Sequence, residues 1–206
     1  MSPPATRLEA GNVKQETSGA VTRRTSLPPE MQTPPTLFDA QWEKYGGFDL
    51  DPCCQVDDPT AYAVLANGGC IFVPGPPHGV LPPLNQNRIQ VDGLVQPWHG
   101  TVWMNPPYDR TLELWVEKAV SEVYCGNARR VVALLPSSTG TPWWQEHILT
   151  SLMGGSNPVE EDGFGDCLLG VEFLPGRQRF SWKGEPMKHV ARFASVIVVW
   201  EKWPSE

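Results

Sequence analysis

The chain has 206 residues, 40% of them hydrophobic and nine of them tryptophan, enough for one domain with a full core. Sixteen basic residues against 23 acidic ones give a net charge of −7. That balance excludes a protein that holds nucleic acid through overall basicity, so any such contact has to come from a local patch.

Five cysteines, odd in number and without Cys-X-X-Cys spacing, and four scattered histidines argue against a zinc site and for reduced thiols in a cytoplasm. No apolar stretch approaches the roughly 18 residues of a membrane span, and nothing reads as a signal peptide. The expectation is a cytoplasmic protein with no metal and no membrane partner.

Residues 1–30 are rich in Ser, Thr, Pro, Gly and mixed charge without an apolar period, the composition of a disordered tail. The domain is expected over 31–206. Thr33-Pro34-Pro35 reads as a helix start, Thr33 capping and Pro34 in the first turn. Leu37, Phe38, Gln41, Trp42 and Tyr45 keep helical spacing, and Gly46-Gly47 stop it. Phe48 to Asp51 reads as a short strand ending in an acid. From about Asp57 to Gln90 the pattern fades, with a Pro-rich insertion near 73–83 that fits only a loop.

Regular structure resumes with a strand over Gly100 to Met104 and a helix from about Thr111 to Tyr124. The apolar face of that helix is Leu112, Trp115, Val116, Ala119, Val120 and Val123, and Gly126 marks its end. Val131 to Leu135 is a continuous apolar run, as in a central strand covered on both faces. Thr141-Pro142 starts a helix to about Leu152, a Gly-rich acidic stretch near 154–168 reads as a mobile loop, and Val171–Leu174 and Ser195–Trp200 read as two more strands. Alternating strands and helices, closed by two strands with no helix between them, predict an α/β sandwich whose mixed sheet has an antiparallel C-terminal edge.

Asn105-Pro106-Pro107-Tyr108 stands at the end of the Gly100–Met104 strand, where open α/β sheets bind ligands. The four residues suit methylation of an exocyclic amine, whose lone pair is delocalised into its ring. Such an amine needs acceptors for both amino hydrogens and a flat surface that holds the base. The Asn105 carboxamide oxygen and a main-chain carbonyl, that of Pro106, are the acceptors. The two prolines stiffen the turn and remove N–H donors, and Tyr108 offers a ring for stacking. As a bare tetrapeptide the same residues also fit an ordinary strand-ending turn.

The order of segments resembles the phage-type Dam-like DNA adenine-N6 methyltransferases, which use S-adenosylmethionine. The resemblance runs from about Thr33 to Trp200. It rests on Thr33-Pro34 with Leu37-Phe38, Phe48 to Asp51, Asp92-Gly93-Leu94 with Trp98, Val102-Trp103 leading into Asn105 to Tyr108, Leu134-Leu135-Pro136 with Thr139, Thr141 and Trp143, and Gly176-Arg177 with Arg179-Phe180.

The resemblance implies a Rossmann-like three-layer methyltransferase fold. It also implies cofactor contacts from Thr33, Pro34, Asp51, Pro52, Asp92 and Asn105, and catalysis by Asn105, Pro106, Pro107 and Tyr108. The Gly-rich turn usual after the first strand is absent, since the chain reads Asp51-Pro-Cys-Cys-Gln-Val56. For DNA, Arg177, Arg179, Lys183 and Lys188, with Arg192, stand against the single acid Glu185, and Phe180 and Trp182 lie among them. This mixture suits phosphate contact with base stacking, and equally a solvated hairpin face. Cytosine N4, an RNA base or a protein glutamine remain open as substrates, as does a binding module that has lost catalysis.

Overall fold

The computed structural model describes residues 31–54, 58–73, 88–90, 92–152 and 167–202; the tail, the Pro-rich insertion beyond Val73 and nearly all of the loop near 154–168 lie outside the described residues. The first helix, α1 (Pro35–Tyr45), begins one residue later than its sequence suggests. Pro34 takes the cap position, Pro35 the first helical one, and Thr33 lies outside the helix. Proline suits that first position because its missing N–H would be unpaired there anyway. Gly46, at φ 74°, closes the helix in the left-handed conformation.

The predicted strand at 48–51 narrows to β1 (Leu50–Asp51); just before it, the Asp49 backbone N–H bonds to the Thr101 carbonyl at 2.7 Å and its carboxylate accepts from the Thr101 N–H at 2.7 Å. The segment where the sequence pattern faded contains α2 (Pro59–Ala66), β2 (Cys70–Val73) and β3 (Arg88–Gln90). The α2 start is built by Asp58, which accepts from the Thr60 N–H at 3.0 Å, with proline in the first turn. Then come β4 (Gly100–Met104), α3 (Leu112–Tyr124) and β5 (Ala128–Pro136), close to their expected bounds. The helix expected to Leu152 is α4 (Pro142–Trp144), a π-helical turn over Gln145–Leu149, and α5 (Thr150–Leu152). The chain ends with β6 (Leu168–Phe173), the hairpin strands β7 (Ser181–Trp182) and β8 (Glu185–Pro186), and β9 (Ser195–Glu201).

Seven strands form one sheet in the order β3-β2-β1-β4-β5-β9-β6. The pairs among β1 to β5 are parallel, whereas β9 is antiparallel to both β5 and β6. Strand alternation divides the core into two layers. Val131, Ala133, Leu135, Val196, Val198 and Trp200 pack with the α3 residues Trp115, Val116 and Val120. Val132, Leu134, Ile197 and Val199 face the other way, onto Phe38 of α1 and Ala61 and Val64 of α2. The architecture is therefore an α/β Rossmann-like sandwich with a mixed sheet and an antiparallel edge, as expected.

The strand order reverses between β1 and β4, with β2 and β3 to one side and β5 to the other. Ligands of open α/β sheets bind in the crevice outside the carboxyl ends of the strands at such a point. Asp51 and Asn105 flank it. The small β7–β8 hairpin docks on this end through a bridge from Ser181 to Gln32. Phe180, expected among the exposed rings, is 1% exposed and belongs to the core, because it packs against Tyr108 and Phe193 at ring centroid distances of 5.9 and 6.1 Å.

Candidate active site

Asn105 follows the last residue of β4, and its carboxamide is held at both ends. The amide nitrogen donates to the Met31 carbonyl at 2.9 Å, and the Tyr108 hydroxyl lies 3.1 Å from the amide oxygen. This fixes which way the amide points, with its oxygen away from Met31. An amide oxygen has two acceptor sites, so the tyrosine leaves capacity for one further donor. The Tyr108 hydroxyl also lies 2.9 Å from the Leu134 carbonyl in β5, so its one proton is shared between that carbonyl and the Asn105 oxygen. Burial holds that phenol well above its ordinary value, keeping it protonated as a donor. Its ring meets Phe193 edge-on at 5.3 Å. Tyr108 is thus anchored by its hydroxyl as well as offering a ring, a role its sequence position did not disclose.

Beside this turn is a cavity of about 400 Å³ lined by Tyr108, Pro136, Ser138, Thr141, Trp143 and Phe193, among others. Its aromatic and proline surfaces suit a flat heterocycle, and Asp109, Arg110 and Glu113 add charge to the same lining. Phe193 was missed in the sequence, although the predicted antiparallel edge carried a signal. Ser195, the first residue of β9, pairs with Pro136 at the carboxyl end of β5, so residues just before β9 arrive at the active end of the sheet.

Across the switch point, Asp51 is 3% exposed. Its carboxylate accepts from the Cys53 backbone N–H at 3.2 Å and faces the Cys53 thiol at 3.7 Å. No lysine or arginine pairs with it among the described residues. Burial, aided by repulsion from Asp58 and opposed by the bonds from Cys53, pushes its pKa from 3.8 up to about 8. Cys53 is in turn held well above its ordinary value, chiefly by burial and by Asp51, with the Asn105 backbone N–H acting in the opposite direction. Asp51, Cys53 and the Asn105 backbone are therefore neighbours across β1 and β4.

Thr33 is 1% exposed and its hydroxyl finds no hydrogen-bond partner among the described residues. A buried acid without a counter-cation and a buried hydroxyl without a partner fit a ligand with a positive group and a carboxylate. Asp92 is exposed and is spent on its own turn, accepting the Leu94 N–H at 2.9 Å.

The next residue of that turn, Gly93, has no room for a side chain. A Cβ there would sit 2.0 Å from the Pro52 carbonyl oxygen, so the 92–98 loop presses on the turn after β1 and is fastened by the Trp98 indole, which donates to the Gly93 carbonyl at 2.8 Å.

On the hairpin side, Arg177, Arg179, Lys183, Lys188 and Arg192 are all exposed. Arg179 spends its guanidinium on the carbonyls of Met187 and Lys188, at 3.0 and 2.9 Å, and so braces the hairpin. Trp182 is 48% exposed, with the Lys183 ammonium 5.0 Å from its ring centre. Among the described residues no group of three or more His, Cys, Asp or Glu could hold a metal ion, and no helix is long and apolar enough to cross a membrane.

The chain is similar in fold to a Pyrococcus horikoshii protein described as a proposed RNA methyltransferase, with 9% identity, 83% of this chain and 82% of that one covered, and a TM-score of 0.48. It is also similar to a protein whose structure concerns conversion of a disulfide bond into a thioacetal group during echinomycin biosynthesis, with 14% identity, coverage of 88% and 87%, and a TM-score of 0.45. No curated protein sequence matches it. Residues 87–151, which span the 92–98 loop, β4 with its Asn105–Tyr108 turn, α3, β5 and α4, match the DNA N-6-adenine-methyltransferase (Dam) family.

Proposed function

We propose that the protein transfers a methyl group from S-adenosylmethionine to N6 of adenine in DNA, with the target base turned out of the duplex. The observation that carries this reading is the Asn105 carboxamide, held between the Met31 carbonyl and the hydroxyl of Tyr108, whose residue lines the neighbouring cavity of about 400 Å³. The match of residues 87–151 to an adenine methyltransferase family supports the choice of amine.

S-adenosylmethionine supplies an electrophilic methyl group on a sulfonium. Asp51 would hold a cationic group of the cofactor, and Thr33, beside the start of α1, would meet its carboxylate with Pro34 shaping the turn. Pro52 would form the wall on which the Gly93 loop rests. Asn105 would accept one amino hydrogen of the base and the Pro106 carbonyl the other, which directs the nitrogen lone pair out of the ring plane. Pro107 keeps a donor out of the turn, and Tyr108 and Phe193 hold the ring.

Arg177, Lys183 and Lys188 would contact phosphates, with Trp182 offering an exposed ring beside them; Arg179, committed to the hairpin backbone, supports this surface. Catalysis in this account is placement and polarisation, with no covalent intermediate on the protein.

The test is incubation with methyl-labelled S-adenosylmethionine and, separately, a duplex containing adenine, a duplex of inosine and cytosine, and a single-stranded RNA, followed by nucleoside analysis. Label in N6-methyladenine from the first substrate is the expected result. Label only in methylcytosine or in RNA overturns the choice of substrate.

A further inference from the structure

We propose that Gln32 is a positioning residue that carries engagement of nucleic acid at the hairpin tip into the placement of the Asn105 carboxamide. This rests on the function proposed above and adds a regulation of the same site.

Four hydrogen bonds meet on one short segment. The Met31 carbonyl accepts from the Asn105 amide at 2.9 Å. The Gln32 N–H donates to the Ser181 carbonyl at 2.9 Å, and the Ser181 N–H returns a bond to the Gln32 carbonyl at 3.0 Å. The Gln32 side-chain oxygen accepts from the Gly184 N–H at the hairpin tip, at 2.8 Å. The Met31 carbonyl and the Gln32 N–H belong to the same peptide unit, which is planar and stiff. A tilt of the hairpin that moves the Ser181 carbonyl therefore turns the plane that holds Asn105. The Gln32 side chain, 2% exposed, ties the tip to that plane.

The tip itself is built for contact. Lys183 and Gly184 both take positive φ, 51° and 78°, the geometry of a two-residue hairpin turn that favours Asn and Gly. A lysine adopts it less readily, and its presence there puts a cation at the outermost point, next to the half-exposed Trp182. Gln32 supplies the acceptor that holds this turn. The arrangement links the segment that phosphates would meet to the residue that would hold the amine, and it passes one residue from Thr33. Each contact is short and directional, so the link works through geometry as well as through packing.

The test compares Gln32→Met, which keeps the volume and loses the acceptor, with Gln32→Glu, which keeps an acceptor oxygen. The readouts are kcat and duplex KM, S-adenosylmethionine Kd by calorimetry, and melting temperature. Gln32→Met is expected to lower kcat tenfold or more while both the Kd and the KM stay within threefold, and Gln32→Glu to recover kcat to within threefold of wild type.

Unchanged kcat in Gln32→Met overturns the proposal, as does a loss of cofactor affinity and melting temperature in step with kcat in both variants. The wild type offers a second measurement, since adding duplex should shift the side-chain amide NMR signal of Asn105, identified by its loss in Asn105→Ala. A duplex that binds without moving that signal overturns the coupling alone. A wild-type chain that binds no duplex or methylates no adenine overturns the proposed function and this inference with it.

Discussion

If Asp51 holds a cationic group of S-adenosylmethionine, cofactor affinity must depend on pH in a way set by this one acid. Without ligand its proton is held up to about pH 8, and only the carboxylate can pair with a cation. Binding below that point therefore releases a proton, and the association constant rises about tenfold per pH unit until the acid has ionised. From pH 5.5 to 7.5 the gain is about a hundredfold, or about 2.7 kcal/mol. Asp51→Asn removes both the charge and the titration, so its affinity should be flat over the same range and below that of the wild type at pH 7.5.

The sign for stability is opposite. Between 3.8 and about 8 the folded chain retains a proton that the unfolded chain has released, so this group's contribution to the stability of the ligand-free protein falls as pH rises and is lowest above 8. The Asn variant should lose part of that decline. Isothermal titration in buffers of different ionisation enthalpy measures affinity and proton release together. Affinity in the wild type that is constant from pH 5.5 to 7.5, with no proton released, refutes the role assigned to Asp51.

Gly93→Ala should lower stability by about 2 kcal/mol, through overpacking against the rigid Pro52 carbonyl, which corresponds to a fall in Tm of about 6 °C; a thermal melt with unchanged Tm shows that the loop can retreat. Tyr108→Phe should keep cofactor affinity but lose about fivefold in kcat, because the ring stays while the hydroxyl bond that orients Asn105, worth about 1 kcal/mol, is gone. Wild-type kcat in that variant makes the stacking surface sufficient. Lys183→Ala with Lys188→Ala should weaken binding to all duplexes alike and flatten the slope of log K against log salt by about 1.8 in total. A fluorescence titration at several salt concentrations reads this, and an unchanged slope means that the hairpin is only a solvated face.

Much of the candidate site was legible as a proposal because its parts are local. Asn105 and Tyr108 sit in one turn after a strand, and Asp51 ends another. The continuous apolar run of β5 and the two final strands were enough to predict a mixed sheet with its antiparallel edge. The helix α2 was missed because it is only eight residues long and its apolar residues do not define a face. The strands β2 and β3 were hidden by their brevity and by the proline-rich stretch between them.

Contacts made by chain segments far apart in sequence left no local trace. The Met31 carbonyl that orients Asn105, the Phe193 ring and the Pro52 surface that requires Gly93 depend on how loops meet at the carboxyl ends of the strands. Phe180 was misassigned for the same reason: it lies in a segment rich in cations, but its neighbours in space are Tyr108 and Phe193.

The central claim is that the Asn105 carboxamide acts on the amine of adenine, and it is tested most directly by the DNA of cells that express the chain. Nucleoside mass spectrometry on DNA from a host lacking its own adenine methylation should find N6-methyladenine with the wild type and none with Asn105→Ala, while purified Asn105→Ala binds S-adenosylmethionine within about threefold of the wild type, a difference of about 0.7 kcal/mol. N6-methyladenine at wild-type levels with Asn105→Ala contradicts the account.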